Sequence, residues 1–201
     1  MIRNIFLITI LFLLFSGIQM KAQYRQEAWI ISPKISFADY SDQTDWAQYS
    51  ISKVPPISFF AEKGLNPFLS AGGFLSYHGD KYAHDTIPDN VMRYKTYGVG
   101  AVASIHYAHW IEQLSGHSIF LGDFDLYVSA AARLEIHKTD EQYVWDPEEE
   151  NFSNYQNTET KFRIRPIFGL RYFLTERFCM LAEVGKGNPG MVTTGVSWYL
   201  E

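Results

Sequence analysis

What this sequence lacks excludes most of the functions that could be read from it. It holds a single cysteine, Cys179, in 201 residues, so no internal disulfide framework can form. It contains no C-x-x-C, no H-E-x-x-H and no complete phosphate-loop pattern, and so offers no fingerprint for a bound metal or cofactor. Positive charge is in deficit: 17 Lys and Arg stand against 22 Asp and Glu, which leaves no basis for gripping nucleic acid. Past residue 22 there is no apolar run of 18 residues, so no hydrophobic helix is available there to cross a bilayer.

What is present begins with a leader. Arg3 precedes an apolar stretch over residues 5–15, followed by Ser16, Gly17 and Ala22, the layout of a signal peptide over residues 1–22. Removing it takes away Arg3 and Lys21 and no acid. The remaining 15 basic residues against 22 acids give a mature charge of −7. No cysteine lies near residue 22 to take a lipid anchor. The chain is expected to be exported, with residues 23–201 forming one domain.

Period two dominates that domain. From Asp123 to His137 the even positions are Phe124, Leu126, Val128, Ala130, Ala132, Leu134 and Ile136, while Asp125, Arg133, Glu135 and His137 fall among the odd ones. Helical spacing cannot produce that pattern. Residues 161–174 repeat it, with Phe162, Ile164, Phe168, Leu170 and Tyr172 opposing Lys161, Arg163, Arg165 and Arg171. Shorter alternating segments over residues 29–37, 57–62, 69–78, 96–107, 178–185 and 192–200 bring the count to eight. Long connections (40–55, 79–90, 138–160) alternate with tight turns (63–67, 175–177), although 109–122 is long for a turn and 186–190 short for a loop. The expected fold is all-β: an eight-stranded antiparallel up-and-down transmembrane β-barrel with both termini at the short-turn end.

A soluble barrel would alternate too, with its apolar face inward. Lipid outside is favoured because the apolar face carries almost no charge. Its aromatics gather near the strand ends: Trp29, Tyr107, Phe124, Tyr172, Phe178 and Trp198 at the turn end, Phe37, Tyr77, Tyr97 and Phe162 towards the loops. That distribution suits two interfacial girdles.

The stretch Arg165-Pro166-Ile167-Phe168-Gly169-Leu170-Arg171-Tyr172-Phe173-Leu174-Thr175-Glu176-Arg177-Phe178 resembles the closing strands of small outer-membrane β-barrel proteins, especially those of Bacteroidota. Ala182-Glu183-Val184-Gly185, Gly195-Val196-Ser197, Pro55-Pro56-Ile57-Ser58 and Ser104-Ile105-His106-Tyr107 extend the likeness, and the leader ending Lys21-Ala22-Gln23 suits the same group. The chain departs from such families at its end, where Glu201 follows Trp198-Tyr199-Leu200. The resemblance implies a fold and a place, the outer membrane of a Gram-negative bacterium with periplasmic termini, and no single activity.

The candidate functional residues are the inward charges Lys34, Glu62, Asp125, Arg133, Glu135, Arg163, Arg165, Arg171 and Glu183. An interior of eight strands is barely wide enough for its own side chains, so mutual pairing that plugs the barrel is the expected role. Arginines drawing anions through a pore are the alternative. With Leu174 facing Phe178 across the turn, Glu183 falls opposite Gly169, and Arg171 on its diagonal is the preferred partner. His78, Asp80, His84 and Asp85 read as solvated loop residues, Asp146 and residues 148–150 as a solvated loop tip, and residues 185–190 as a hairpin turn. Cys179 reads as a small packing residue facing the lumen. No nucleophile or metal constellation stands at the rim, so no enzyme is expected. The expected partners are outer-membrane lipid and other outer-membrane proteins. The expected function is a structural or interaction role, as an accessory subunit of a larger assembly or a stand-alone envelope barrel. A narrow porin-like channel for small solutes is the alternative.

Overall fold

The structure is a computed structural model that describes residues 26–39, 49–87, 90–108, 111, 123–146 and 151–201. The leader over residues 1–22, most of the 109–122 connection and residues 148–150 lie outside the described residues. Eight strands follow in order: β1 (Trp29–Asp39), β2 (Tyr49–Asn66), β3 (Leu69–His84), β4 (Val91–His106), β5 (Phe124–Asp146), β6 (Asn151–Phe173), β7 (Phe178–Val184) and β8 (Gly190–Leu200). Each pairs antiparallel with the next, and β1 pairs with β8 to close the barrel. Closure gives every strand two neighbours over the ring and removes the edges that an open sheet would present.

The alternation in sequence is an alternation of surroundings. Outward side chains such as Phe162, Ile164 and Leu75 are more than 60% exposed, while Ile30, Ser32 and Arg171 on the opposite face are fully enclosed. A barrel with its charges inside and its aliphatic residues outside is inverted relative to a soluble one. The interior is not purely polar, as the alternation alone suggested. Ile30, Phe173, Cys179 and Tyr199 form an apolar floor at the turn end with Ala28, and Phe60, Phe74, Val102, Ala131 and Ile167 form a second apolar layer.

Strand lengths depart from the sequence reading. β5 and β6 run for 23 residues each, although nine to eleven tilted residues suffice to span a bilayer. The connection expected over 138–160 is therefore mostly a continuous hairpin, with β5 reaching Asp146 and β6 starting at Asn151. Likewise β2 starts at Tyr49 and β3 runs to His84, so His78, Asp80 and His84 lie within a strand rather than in a loop. These extensions are largely polar, and their few apolar residues, such as Ile51, Val54, Val144 and Trp145, set up no sustained period-two signal. By contrast β7 has only 7 residues. The rim is uneven: β2 to β6 form a tall wall, and β7, β8 and β1 a low side.

Three prolines fit this geometry for local reasons. The pairing of β2 with β3 shifts register between Val54 and Ile57, where Pro55 and Pro56 cannot donate to a ladder. Pro166 sits beyond the last β7 pair, Phe168 with Val184, and its carbonyl accepts from Gly187 N at 3.1 Å. Its missing N–H therefore faces the β7–β8 turn and costs no strand-to-strand bond.

Candidate functional site

The chemistry-bearing side chains lie inside the barrel, and the strongest grouping spans it. Arg171 on β6 reaches Glu62 on β2 at 3.2 Å, and Asp125, directly opposite it on β5, at 3.0 Å. β2 and β6 are four steps apart in a ring of eight, so the Glu62 contact crosses the full lumen. The ring of contacts closes through His106. Its Nδ1 lies 2.9 Å from Asp125, its Nε2 lies 3.0 Å from Ser70 Oγ, and Ser70 donates to Glu62 at 2.9 Å. Ser104 also donates to Glu62, at 2.7 Å, and exchanges a hydrogen bond with Ser129. Gly72, opposite Glu62 on β3, has no side chain to obstruct these serines.

A second grouping centres on Glu183. It accepts from Lys34 Nζ at 2.6 Å, from the Tyr127 hydroxyl at 2.5 Å and from Asn188 Nδ2 at 2.6 Å. Glycine makes both approaches possible. Tyr127 leans over Gly169, which separates it from Glu183 in the register, and a Cβ at Gly169 would run into the Tyr127 ring. On the other side Lys34 leans over Gly195, its direct partner on β8, and stacks its ammonium 3.6 Å from the Phe60 ring centroid. Tyr127 in turn carries the Arg171 guanidinium 4.1 Å from its centroid, which joins the two groupings.

The expected partnership of Glu183 with Arg171 is thus corrected, although Glu183 does face Gly169. The space over Gly169 is taken by Tyr127, and Arg171 is drawn to the two carboxylates of Glu62 and Asp125. A pairing rule built on adjacent strands cannot see contacts that pass over a glycine or across the lumen.

At the open end Glu135 gathers two guanidinium groups and an imidazole: Arg133 at 3.2 Å, Arg163 at 3.4 Å and His137 at 3.4 Å. Arg133 also lies over the Phe74 ring, 5.3 Å from its centroid, and donates to the Gly187 carbonyl at 2.8 Å. Among the described residues Arg165 joins no carboxylate; it donates to the Lys186 carbonyl at 3.3 Å. The β7–β8 turn is therefore more than a surface hairpin. Asn188 is buried against Glu183, Gly185 adopts φ 138°, and Gly187 lies so close that a Cβ there would strike Ile167. This turn folds into the mouth.

From turn end to open end the interior is thus a stack: the apolar floor, the Arg171 ring, the Glu183 grouping with the Phe60 layer, and the Glu135 grouping under the inward turn. Lys34, Glu62, Asp125, Arg133, Glu135, Arg171 and Glu183 are buried, whereas Arg163 and Arg165 are only partly covered. His106, Tyr127, Asn188 and the serines complete the network and were not singled out among the charges. Their signal was parity, since Ser70, Ser104, His106 and Tyr127 fall on the inward face. Among the described residues no group of three His, Cys, Asp or Glu side chains converges as a metal site would require.

On the outer surface the turn-end aromatics come together in pairs. Phe124 and Tyr172 have ring centroids 4.9 Å apart, and Phe178 and Trp198 5.2 Å. Trp29, 47% exposed, carries Lys63 Nζ 6.0 Å from its ring centroid. Tyr107 is half-buried just past the end of β4.

No family model matches the chain, and no curated protein does. Among solved structures, the N-terminal β-barrel domain of Pseudomonas aeruginosa OprF is similar over 87% of this chain and 98% of its own, at 15% identity and a TM-score of 0.48. Ail, the attachment invasion locus protein of Yersinia pestis in complex with the heparin analogue sucrose octasulfate, is similar over 87% of this chain and 96% of its own, at 10% identity and a TM-score of 0.43.

Proposed function

We propose that this chain is a closed barrel of a Gram-negative outer membrane, with periplasmic termini, that acts through its surfaces and does not conduct. The reading places it as an accessory subunit of a larger outer-membrane assembly or as a stand-alone envelope barrel. The observation that carries it is the enclosed Arg171, which bridges Asp125 and, across the whole lumen, Glu62. A solute would have to break that bridge and strip three buried charges of their partners, a cost of several kcal/mol. The apolar exterior supplies the membrane half of the reading, since eight closed strands satisfy their backbone without an edge in lipid. The tall wall of β2 to β6 supplies a surface outside the bilayer for partners.

Two experiments divide the possibilities. In planar bilayers the purified barrel should give no stepwise currents, and reproducible ion-selective openings would replace this reading with the narrow channel. A mild-detergent pull-down from native membranes should recover defined outer-membrane partners if the barrel is an accessory subunit. Recovery of the barrel alone would leave the stand-alone envelope role.

A further inference from the structure

The outward face of the wall carries a cationic patch immediately above the apolar band. Along β5 the outward residues run from Phe124 to Ile136, and the next two are Lys138 and Asp140. On β4 the corresponding residues past Tyr97 are Lys95 and Arg93, and on β3 past Tyr77 they are Gly79 and Lys81. The registers align them. Lys95 lies directly opposite Lys138, and Arg93 lies directly between Lys81 and Asp140. Four cations therefore share one patch with the single carboxylate of Asp140, a net of three positive charges on a chain whose formal charge is −5.

Among the described residues only Asp140 offsets this arrangement. Like charges directly opposite on neighbouring strands repel. Asp140 takes Arg93 at 3.3 Å, and among the described residues no carboxylate pairs with Lys81, Lys95 or Lys138, all three exposed. Lys138 lies 5.9 Å from the Tyr97 ring centroid, and Tyr97 lies 5.3 Å from the Tyr77 ring, so the cations stand on an aromatic pair. Aromatics of this kind lie at the boundary between hydrocarbon and headgroups, and cations one step beyond them lie among the headgroups.

We infer that Lys81, Arg93, Lys95 and Lys138 form a binding site for the phosphate groups of a phosphorylated glycolipid in the outer leaflet. The inference rests on the membrane reading above and goes beyond it by assigning a ligand class to one face. A phosphate supplies the negative charge that the Lys95 and Lys138 pairing lacks, and its acyl chains would lie against Leu75, Val99 and Leu134 below.

The test uses the full barrel inserted into phosphatidylcholine nanodiscs doped with lipopolysaccharide, either intact or enzymatically dephosphorylated. The readout is lipopolysaccharide retained per barrel after extraction into detergent. Wild type should retain the phosphorylated form about tenfold better than Lys95→Gln/Lys138→Gln, since each basic residue near an anionic surface contributes about fivefold or less. Lys81→Gln/Lys138→Gln should lose retention similarly, while the control Lys63→Gln/Arg177→Gln at the turn end should behave as wild type. Equal retention by all variants, or of both lipid forms by wild type, would overturn the site. Release of the lipid by millimolar inorganic phosphate would also overturn it, in favour of a free-anion site. Heat-modifiable gel mobility and protease resistance report insertion separately. A wild-type chain that never inserts would overturn the membrane reading and the site with it, whereas an inserted chain without selectivity overturns the site alone.

Discussion

Arg171 and Arg163 lie on the same inward face of the same strand, yet one is wholly enclosed and the other is 38% exposed along its side chain. Arg171 holds two carboxylates from β2 and β5 in the dry lower lumen. Arg163 shares one carboxylate, Glu135, with Arg133 and His137 at the wet mouth. Identical residue types eight positions apart thus do different work. The lower grouping locks the barrel across its diameter, and the upper one seats the inward turn. The difference follows from dielectric. An ion pair removed from water is costly to form and more costly to break, whereas a half-exposed pair is screened.

The contrast can be broken most severely at its enclosed end. Arg171→Met leaves Glu62 and Asp125 buried without their guanidinium, and should lower stability by about 3–5 kcal/mol in urea unfolding from detergent micelles. A loss below about 1 kcal/mol would erase the distinction between the two regions. Next comes Gly169→Ala, whose Cβ would strike the Tyr127 ring. It should cost about 1–3 kcal/mol by overpacking, and the added change Tyr127→Leu should recover part of that loss. At the mouth Glu135→Gln should cost only about 1 kcal/mol, because Arg163 keeps access to water and Arg133 keeps the Gly187 carbonyl. Arg163→Gln should be the mildest change, under about 1 kcal/mol, and its effect should vanish in 1 M salt, where the screening length is about 3 Å. Measured against Arg171→Met at the same salt, it sharpens the comparison directly.

How much of this could be read from the sequence follows the same division between dry and wet. The segments with an apolar outward face were legible because their other face is polar or charged. The long runs from Phe124 to Ile136 and over residues 161–174 are found in β5 and β6, and β6 meets β7 at the expected register, with Glu183 facing Gly169. The upper part of the wall was not legible. Residues 154–160 are exposed on both faces of β6, so their alternation has nothing to alternate between. Inside the lumen the set of inward charges was legible and their partners were not. Which carboxylate meets Arg171 depends on the barrel's diameter and on the glycines at 72, 169 and 195, which open lines of approach that strand adjacency does not encode. The apolar inward residues Phe60 and Ile167 were hidden for a related reason. Each follows or precedes outward apolar neighbours, and in sequence they look like breaks in the pattern rather than layers of a plug.

The central claim is that the barrel is locked across its diameter by Glu62 and Arg171, and a double-mutant cycle on that pair tests it most directly. Glu62→Gln, Arg171→Met and the combined variant are unfolded in urea from the same micelles and compared with wild type. The account predicts strong coupling, with the combined variant about 2–3 kcal/mol more stable than the sum of the two single losses implies, because no carboxylate at position 62 is left facing the missing guanidinium, while Asp125 keeps its contact with His106 in both backgrounds. Losses that add to within about 0.5 kcal/mol would mean that the two side chains do not sense each other across the lumen, and would contradict it.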